Sequence, residues 1–272
     1  MRRCRDQFAE RKLADRRRKD IPKVVTVDDF AVALVRSAPV GYFRLARAFR
    51  AARPSLRKYS AETRYGRITC DIGEPGCFPL IKFGCYPHWA PDEDAIGRLA
   101  LNERSVVVDI GANIGAMTKI FARRAKVVHA FEPSPRALEY LELNADDNVI
   151  IHPVALSDHA GVGLFEERES LDRSSLSDHG IEVPVRTLDS FDLKPDLIKI
   201  DVEGFEPEVL RGAQATLKHG PILLFEALSE TALAECKAVI TSANPAYRFE
   251  RVSEHNHLAI CSAERAGEDE WR

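Results

Sequence analysis

Two acidic residues stand where an α/β protein can bind a nucleoside-containing cofactor. Asp109 lies at the end of the apolar run 106–110, before a turn of small residues, and Glu132 directly follows the apolar run 127–131. Such cofactors bind at the carboxyl ends of parallel strands, where a glycine turn admits the ligand and a later acid binds the ribose hydroxyls. Glu132 follows Gly111 at about the 20-residue interval that this arrangement uses. We therefore predict a cofactor site at these two strand ends.

The composition of the turn discriminates between two classes of cofactor. A dinucleotide site requires Gly-x-Gly-x-x-Gly, whereas the matching positions here hold Gly111, Asn113 and Ala116. The carboxylate of Asp109 would also repel a pyrophosphate, but it would attract the ammonium and sulfonium groups of S-adenosylmethionine. The turn, which ends at Gly115, therefore favours S-adenosylmethionine. The alternative is a turn of the same kind that binds no ligand.

A second group of charged residues lies in an otherwise apolar run. Lys199, Asp201 and Glu203 fall within residues 197–204. Charges on a buried parallel strand are costly unless they lie at its carboxyl end, beside a ligand or a partner. We expect Asp201 and Glu203 to face the same crevice as the first two acids. The alternative is an ion pair with Lys199 that only orders the turn.

Alternating strands and helices must position these residues. From Val106 onward, short apolar runs alternate with helical patterns, which predicts a parallel sheet covered by helices on both faces. The predicted strands are 106–110, 127–131, 149–155, 197–201 and 222–226, and the predicted helices are 114–124, 134–145, 206–218 and 229–241. Two final strands, 247–252 and 257–261, predict a closing hairpin that places an antiparallel strand at one edge.

Other segments surround this core. Short strands are predicted at 65–70 and 79–83, followed by a helix at 91–101. A hairpin-like section, 162–165 and 183–188, flanks the polar loop 166–182, which is either a substrate lid or a surface excursion. The predicted organisation is a basic helical extension (1–63), lead-in strands and a helix (64–105), the cofactor-binding domain (106–263) and a loose tail (264–272).

Charge is distributed unevenly along the 272 residues, of which 45% are hydrophobic and 30% charged. Residues 1–67 carry 19 Lys and Arg against 7 Asp and Glu, whereas the rest of the chain is acidic. A basic arm of this kind either meets an anionic partner, a membrane surface included, or packs on the acidic body. The amphipathic segment 42–50 likewise either docks on the protein or lies on a membrane. The acidic body argues against binding to a nucleic-acid backbone.

Sequence features also guide the prediction of location and metal content. No apolar run approaches the length of a transmembrane helix, and the Arg-rich start lacks the apolar segment of a secretory signal. The six cysteines are irregularly spaced, which is typical of reduced thiols. Cys70, Cys77, Cys85 and His88 match no standard zinc spacing. We therefore expect a cytoplasmic protein and assign no metal ligands.

Six short motifs occur in the order found in one known family. They are Asp109-Ile-Gly-Ala-Asn-Ile-Gly115, Phe131-Glu-Pro133, Ala155-Leu-Ser-Asp158, Thr187-Leu-Asp-Ser190, Lys199-Ile-Asp-Val-Glu-Gly204 and Val209-Leu-Arg-Gly-Ala213. Over residues 100–262 the chain resembles the FkbM family of S-adenosylmethionine-dependent methyltransferases. The resemblance implies a class I methyltransferase (Rossmann-like) α/β fold with a seven-stranded, mostly parallel sheet. It also implies an enzyme that methylates hydroxyl oxygens of sugars, glycans or polyketide-type products.

The same resemblance implies roles for individual residues. Those expected around the methionine part of S-adenosylmethionine are Asp109, Gly111, Asn113 and Gly115. Glu132 should bind the ribose hydroxyls, and the backbone around Ala155 should border the adenine.

The acids at the end of the predicted strand 197–201 and just after it are candidates for direct action on the acceptor. An alcohol is a poor nucleophile while it is protonated, so methyl transfer to oxygen benefits from a nearby base. Asp201 and Glu203 are the candidate bases, with Lys199 as an orienting or electrostatic partner. The same acids could instead hold a divalent metal that polarises the substrate hydroxyl, a reading that the sequence does not favour.

Two other functions remain open at this stage. One is an NAD-dependent oxidoreductase, which Asn113, Ala116 and Asp109 argue against. The other is a non-catalytic Rossmann-like module whose basic arm binds a membrane or a nucleic acid. The sequence predicts neither the identity of the methyl acceptor nor the oligomeric state.

Overall fold

A mixed sheet lies at the centre of the computed structural model, which describes residues 26–38, 41–168, 170–171 and 174–261. The strands are β1 (Tyr59–Thr63), β2 (Gly66–Cys70), β3 (Val106–Ile110), β4 (Val127–Phe131), β5 (Val149–His152), β6 (Ala155–Leu156), β7 (Gly161–Glu166), β8 (Ser175–Ser177), β9 (Ile181–Arg186), β10 (Leu197–Ile200), β11 (Ile222–Glu226), β12 (Tyr247–Arg251) and β13 (Asn256–Cys261). The α-helices are α1 (Val27–Ser37), α2 (Tyr42–Ala52), α3 (Phe78–Phe83), α4 (Ala90–Arg98), α5 (Ala116–Ala122), α6 (Pro135–Asn144), α7 (Glu206–Arg211), α8 (Gln214–Lys218) and α9 (Glu230–Ala243).

Seven strands of the described residues form the central sheet, in the order β12-β13-β11-β10-β3-β4-β5. Within this sheet, the five neighbouring strands β11, β10, β3, β4 and β5 pair in parallel. Strand β13 is antiparallel to both β11 and β12. The predicted α/β fold and its closing hairpin are therefore confirmed. The chain order reverses at β3, because β4 lies on one side of it and β10 on the other. Open α/β sheets form a crevice outside the carboxyl ends of the strands at such a point.

The two central strands are buried along almost their whole length. All four residues of β10 are buried, and so are the last four residues of β3. In the parallel register, Lys199 lies beside Asp109, and Ile200 lies beside Ile110. The sheet therefore places two charged side chains next to each other in an apolar layer, at the strand ends that border the crevice.

A smaller sheet, in the order β6-β9-β7-β8, lies beside the crevice. Strand β7 pairs antiparallel with both β9 and β8, which confirms the predicted hairpin. Strand β8 arises within the segment 166–182 that the sequence predicts as a polar loop. Leu176 of β8 packs on a buried cluster that includes Phe165 and Val185, so this part of the segment is attached to the sheet.

Helices α1 and α2 pack on the protein. Val32 and Val35 of α1 and Ala46 of α2 are buried in one apolar cluster, while Arg44 and Arg47 on the opposite side of α2 are exposed. This packing favours the docked alternative for the segment 42–50. No helix in the part of the chain that the structure describes combines the length and apolar character needed to cross a membrane. The predicted tail and most of the basic arm lie outside the described residues.

Three local predictions are wrong. The segment 79–83 belongs to α3 and is not a strand, because Pro79 suits the first turn of a helix and Gly84, with φ of +69°, ends it. The segment 59–63 is strand β1, whereas the sequence places it in a helical extension. The segment 206–218 is two helices with Gly212 between them. There the backbone passes so close to Ser157 that a Cβ on Gly212 would stand 2.0 Å from its carbonyl oxygen.

Candidate active site

A cavity of about 580 Å³ opens at the carboxyl ends of the central strands. The predicted site residues that line it are Gly111, Asn113, Glu132, Ala155, Lys199, Asp201 and Glu203. Two other predicted site residues, Asp109 and Gly115, do not belong to the described residues that line the cavity. The structure therefore brings the two acidic strand ends to one crevice and leaves two residues of the predicted donor site behind its wall.

Backbone contacts hold the turn after β3. The N–H groups of Gly111 and Ala112 both donate to the carbonyl oxygen of Phe131, at 3.0 and 3.1 Å. Gly111 has φ of +75°, and a Cβ built on it would lie 1.9 Å from the carbonyl oxygen of Asp201. Glycine is required here because a side chain would collide with the chain that leaves β10. The turn therefore lies close against the ends of both neighbouring strands.

Glu132 receives hydrogen bonds on both carboxylate oxygens. Oε2 accepts from the N–H of Asn113 at 2.8 Å, and Oε1 accepts from the N–H of Ser134 at 2.9 Å. Asn113 has φ of +51°, a conformation that asparagine adopts more readily than most residues. Burial raises the pKa of Glu132 to about 7, although the two hydrogen bonds oppose the shift. When ionised, each oxygen retains a further lone pair for a ligand hydroxyl in the cavity.

Asp109 and Lys199 form a buried ion pair behind the turn. Nζ of Lys199 lies 3.3 Å from Oδ1 of Asp109 and 3.5 Å from Oδ2 of Asp201, and it donates to the carbonyl oxygen of Gly111 at 2.7 Å. Burial acts to lower the pKa of Lys199, but the carboxylates of Asp201 and Asp109 outweigh it and hold the pKa above its usual value. Lys199 is therefore charged at neutral pH, and it positions the turn and Asp201.

The two predicted residues behind the wall support the turn. Asp109 is 0% exposed, and its Oδ2 accepts a hydrogen bond of 2.6 Å from Oγ1 of Thr118. Its charge is thus directed to Lys199 and not offered to a ligand. Gly115 has φ of +85°, and a Cβ there would lie 2.8 Å from Cδ1 of Leu141 on α6. Gly115 thus allows the turn to pack closely on that helix.

Three carboxylates gather at the carboxyl ends of β10 and β11. Asp201, Glu203 and Glu226, which we call the acidic group, each offer one oxygen that lies within 4.8 Å of the other two. Glu226 ends β11, which pairs with β10, and Glu203 follows β10 with φ of +56°. Burial raises the pKa of Glu226 to about 9, and the charges of Asp201 and Glu203 add to the shift. Such a group can take up a proton or a cation.

Sequence reasoning missed four acids that line the cavity, which are Glu74, Asp92, Glu226 and Glu254. Glu226 carries the same signal as Asp109, an acid at the carboxyl end of an apolar strand, and that signal could have found it. Asp92 lies in the first turn of α4, where acids are common in any helix. Its Oδ2 accepts from Nδ2 of Asn256 at 3.1 Å, and burial raises its pKa to about 6.

The outer wall of the cavity is largely apolar. The rings of Tyr86 and Trp89 have centroids 4.1 Å apart, and both residues line the cavity. Leu171 and Leu176, from the segment 166–182, line it as well. The cavity therefore combines apolar surfaces with a floor of carboxylates, which suits an acceptor that has both polar groups and apolar faces.

The chemistry of the wall fits S-adenosylmethionine and not a dinucleotide. Among the described Lys and Arg residues, Lys199 alone lines the cavity, and it is already bonded to carbonyl and carboxylate oxygens. A pyrophosphate would thus meet carboxylates without a free cation, whereas a sulfonium is attracted by them. Glu132 offers acceptors for the ribose hydroxyls, and the glycine turn leaves room for the ligand.

Comparisons with known proteins agree with this fit. Residues 109–252 match the family model described as the methyltransferase FkbM domain. The chain is 32% identical over 150 residues to the hexuronic acid methyltransferase AglP of Haloferax volcanii, a match that covers 50% of this chain and 62% of that protein. It is 38% identical over 80 residues to the ribosomal RNA small subunit methyltransferase A of Bacillus licheniformis, which covers 28% of this chain and 27% of that protein.

A solved structure to which the chain is similar is the methyltransferase FkbM from Methylobacillus flagellatus. It has a TM-score of 0.48 and 21% sequence identity, and the match covers 60% of this chain and 45% of that one. The present chain thus spans less than two thirds of the length of each of these relatives.

Proposed function

This chain belongs to the FkbM family of S-adenosylmethionine-dependent methyltransferases, and from that premise we propose that it methylates a hydroxyl of a sugar, glycan or polyketide-type product. The observation that carries the proposal is the placement of Asp201 and Glu203 on the same cavity as the glycine turn and Glu132. A donor held at the turn and an acceptor held at the carboxylates would meet in one enclosed space. The relative that is named a hexuronic acid methyltransferase supports a sugar acceptor.

The donor half of the cavity is the part that follows β3 and β4. Glu132 would accept hydrogen bonds from the ribose hydroxyls, and the backbone around Ala155 would border the adenine. The turn from Gly111 to Asn113 would carry the methionine part, with Lys199 holding the turn in place through its 2.7 Å hydrogen bond to Gly111. S-adenosylmethionine supplies a methyl group activated by its sulfonium.

The acceptor half is the part that follows β10. Asp201 or Glu203 would accept the hydrogen bond of the acceptor hydroxyl and take up its proton as the oxygen becomes methylated. Lys199, 3.5 Å from Asp201, orients that carboxylate. Trp89, Leu171 and Leu176 would exclude water and align the acceptor, which are the main contributions of a protein to a direct displacement.

Two measurements test this proposal. Calorimetry on the full chain should show saturable binding of S-adenosylmethionine that Glu132→Ala weakens and Gly97→Ala leaves intact, since nothing lies within 4 Å of a Cβ at Gly97. A methyl-transfer screen over neutral sugars, amino sugars, uronic acids and hydroxylated natural products, read by mass spectrometry, should then identify an O-methylated product.

Other results would point to the alternatives. Binding of NADH in place of S-adenosylmethionine would contradict the proposed activity, and a product methylated on nitrogen would change its class. Binding of neither cofactor, with salt-dependent binding of lipid or nucleic acid that maps to the basic arm, would favour the non-catalytic module.

We also propose a cytoplasmic location, in which the basic arm meets an anionic surface. The cysteines of the described residues are all free, including the buried Cys70, Cys77, Cys85 and Cys236, as is typical of a reducing compartment. Cell fractionation and vesicle co-sedimentation of the full chain, with and without residues 1–25, test the two parts of this proposal separately.

A further inference from the structure

We propose that Asp201, Glu203 and Glu226 bind a divalent cation of the oxygen-preferring class, such as Mg²⁺, Mn²⁺ or Ca²⁺, beside the acceptor. This inference rests on the proposed function and refines it. Asp201, Glu203 and Glu226 would each bind the ion through one oxygen. The second oxygen of Asp201 or Glu203 would take up the hydroxyl proton as the acceptor oxygen bonds to the methyl carbon and the bond from that carbon to the sulfonium breaks. A cation at this place would stabilise the negative charge that develops on the acceptor oxygen.

The ends of two neighbouring strands and the short turn after β10 bring the three carboxylates together. Ile200 and Phe225 are partners in the parallel register of β10 and β11, so Asp201 and Glu226 each follow at the same level. Glu203 returns toward them in a left-handed conformation, with φ of +56°. Two of the three ligands thus extend from neighbouring central strands, which fixes their spacing.

The spacing matches the size of such ions. One oxygen from each residue lies within 4.8 Å of the other two. Any two oxygens on one ion are at most twice the metal–oxygen bond length apart, which is about 4 Å for Mg²⁺ and about 5 Å for Ca²⁺. The donor set contains oxygen only, which selects hard cations over zinc or copper.

A second, independent observation is that neighbouring buried carboxylates lack counter-charges. Asp92, 2% exposed, lines the same cavity with an Oδ1 that has no hydrogen-bond partner among the described atoms. The charge of Asp201 is near enough to contribute to the raised pKa of Asp92. Oε2 of Glu226 is likewise buried and has no partner in the described residues.

Glu206 shows the same pattern beneath the acidic group. It is completely buried, and its Oε1 accepts from the N–H groups of Val202 and Gly204, within the segment that carries Asp201 and Glu203. Its Oε2 has no hydrogen-bond partner in the described part of the chain. Buried carboxylates are costly unless they are paired or coordinate a metal.

Lys199 is the one lysine of the described residues that lines this cavity, and its charge does not neutralise these carboxylates. Nζ of Lys199 is closer to Asp109 than to Asp201, and it donates to the backbone oxygens of Ile110 and Gly111. Its single charge is shared between Asp109 and Asp201. An ion with two positive charges at the acidic group would supply what is missing.

Titration with Mn²⁺ tests this proposal directly. The free Mn²⁺ signal in electron paramagnetic resonance is followed on the metal-free full chain, without donor or acceptor, so that catalysis is not needed for the readout. We expect one saturable site per chain, with competition by Mg²⁺ or Ca²⁺. Asp201→Asn and Glu226→Gln should each weaken binding by about tenfold or more, the scale on which changes around a metal site act.

Glu254→Gln is the matched control, because Glu254 lines the same cavity but does not belong to the acidic group. It removes one negative charge and should change the affinity for Mn²⁺ by less than about twofold, as expected for a solvent-screened charge. Circular dichroism and melting curves show whether each variant is folded. Mn²⁺ should raise the melting temperature of the unaltered protein and of Glu254→Gln, but not that of the two ligand variants.

Several outcomes would overturn the proposal. They are the absence of saturable Mn²⁺ binding, equal binding to the ligand variants, and an equal loss in Glu254→Gln. Stabilisation by an amine-bearing sugar without Mn²⁺ binding would assign the carboxylates to an organic cation instead. Calorimetry with S-adenosylmethionine on the same samples distinguishes failure of the metal site from failure of the proposed function. Intact donor binding without Mn²⁺ binding rejects the metal site alone.

Discussion

The carbonyl oxygen of Asp201 occupies the space into which a side chain at Gly111 would extend, only 1.9 Å from the position of a Cβ. The turn that we assign to the donor and the strand end that we assign to the acceptor are therefore in direct backbone contact. Lys199 joins them a second time, because its ammonium lies between the carbonyl oxygen of Gly111 and the carboxylate of Asp201.

Gly111→Ala should disrupt both halves of the site. The added methyl would force the chain apart at Asp201, and the residue would also have to keep a φ of +75°. We expect a loss of about 2 kcal/mol or more in the free energy of unfolding, together with loss of S-adenosylmethionine binding.

Gly97→Ala is the control for this substitution. Gly97 lies in α4 with open space around its Cβ position, so alanine should keep or raise stability by about 0.5–1 kcal/mol. Urea denaturation of both variants makes the comparison. Equal stabilities would contradict the close approach of Gly111 to Asp201.

Lys199→Met should destabilise the fold strongly. It leaves Asp109 buried without a counter-charge and removes the donor to Gly111. Removal of one partner from a buried pair costs about 3–5 kcal/mol. The double variant Lys199→Met/Asp109→Asn should recover part of this loss, because no uncompensated charge remains. Guanidinium denaturation measures both variants, and a loss below about 1 kcal/mol in the single variant would reject a structural role for the pair.

Thr118→Val tests the other contact of Asp109. The hydroxyl of Thr118 donates to Oδ2 of Asp109 at 2.6 Å in a fully buried environment. Valine keeps the shape but leaves that oxygen without its donor, at an expected cost of about 1–3 kcal/mol in the free energy of unfolding. Thr118→Ser keeps the hydroxyl and should lose less, as thermal melting would show. A larger loss in the serine variant would mean that the methyl group matters and the hydrogen bond does not.

The raised pKa of Glu132 should produce opposite pH trends in stability and in donor binding. With a pKa raised from 4.5 to about 7, the folded protein holds a proton in that range that the unfolded chain releases. Stability therefore falls as pH rises from 4.5 to about 7, by at most about 3 kcal/mol. The affinity for S-adenosylmethionine should rise over the same range, because the ionised carboxylate accepts hydrogen bonds from ribose hydroxyls.

The comparison with Glu132→Gln isolates this residue from other titrating groups. Melting curves and calorimetry from pH 5 to pH 8 should show both trends in the unaltered protein. At each pH, the difference in melting temperature and in affinity between the unaltered protein and Glu132→Gln gives the effect of Glu132. A difference in affinity for S-adenosylmethionine that does not vary with pH would exclude ribose binding by the ionised carboxylate.

The sequence predicted the strand ends well because their signal is local. The carboxyl ends of parallel strands all lie at the same edge of the sheet. An acid at such an end is therefore placed at that edge, which is why Glu132 and Asp201 both line the cavity. The same rule identifies Glu226. Asp92 follows no such rule, since its place in the site depends on a contact with Asn256, which is distant in sequence.

Errors arose where the pattern was short or where a tertiary contact decided the backbone. The five residues 79–83 are too few to separate a strand from a buried helical turn by periodicity. The break between α7 and α8 lies at Gly212, where the carbonyl of Ser157 leaves no room for a Cβ. The partner of Asp109 also depends on tertiary structure. Only the packed sheet shows that its carboxylate pairs with Lys199 and does not face a ligand.

The stretch 109–252 that matches the family model contains the glycine turn, Glu132 and the acidic group, but it does not contain the whole cavity wall. Trp89 and Asp92 precede it, and His255 follows it. The residues that we assign to the donor thus lie inside that stretch, whereas part of the wall that we assign to the acceptor is encoded outside it. We therefore expect that exchange of the segment 74–92 between family members, in evolution or by design, alters acceptor choice while the methyl donor stays the same.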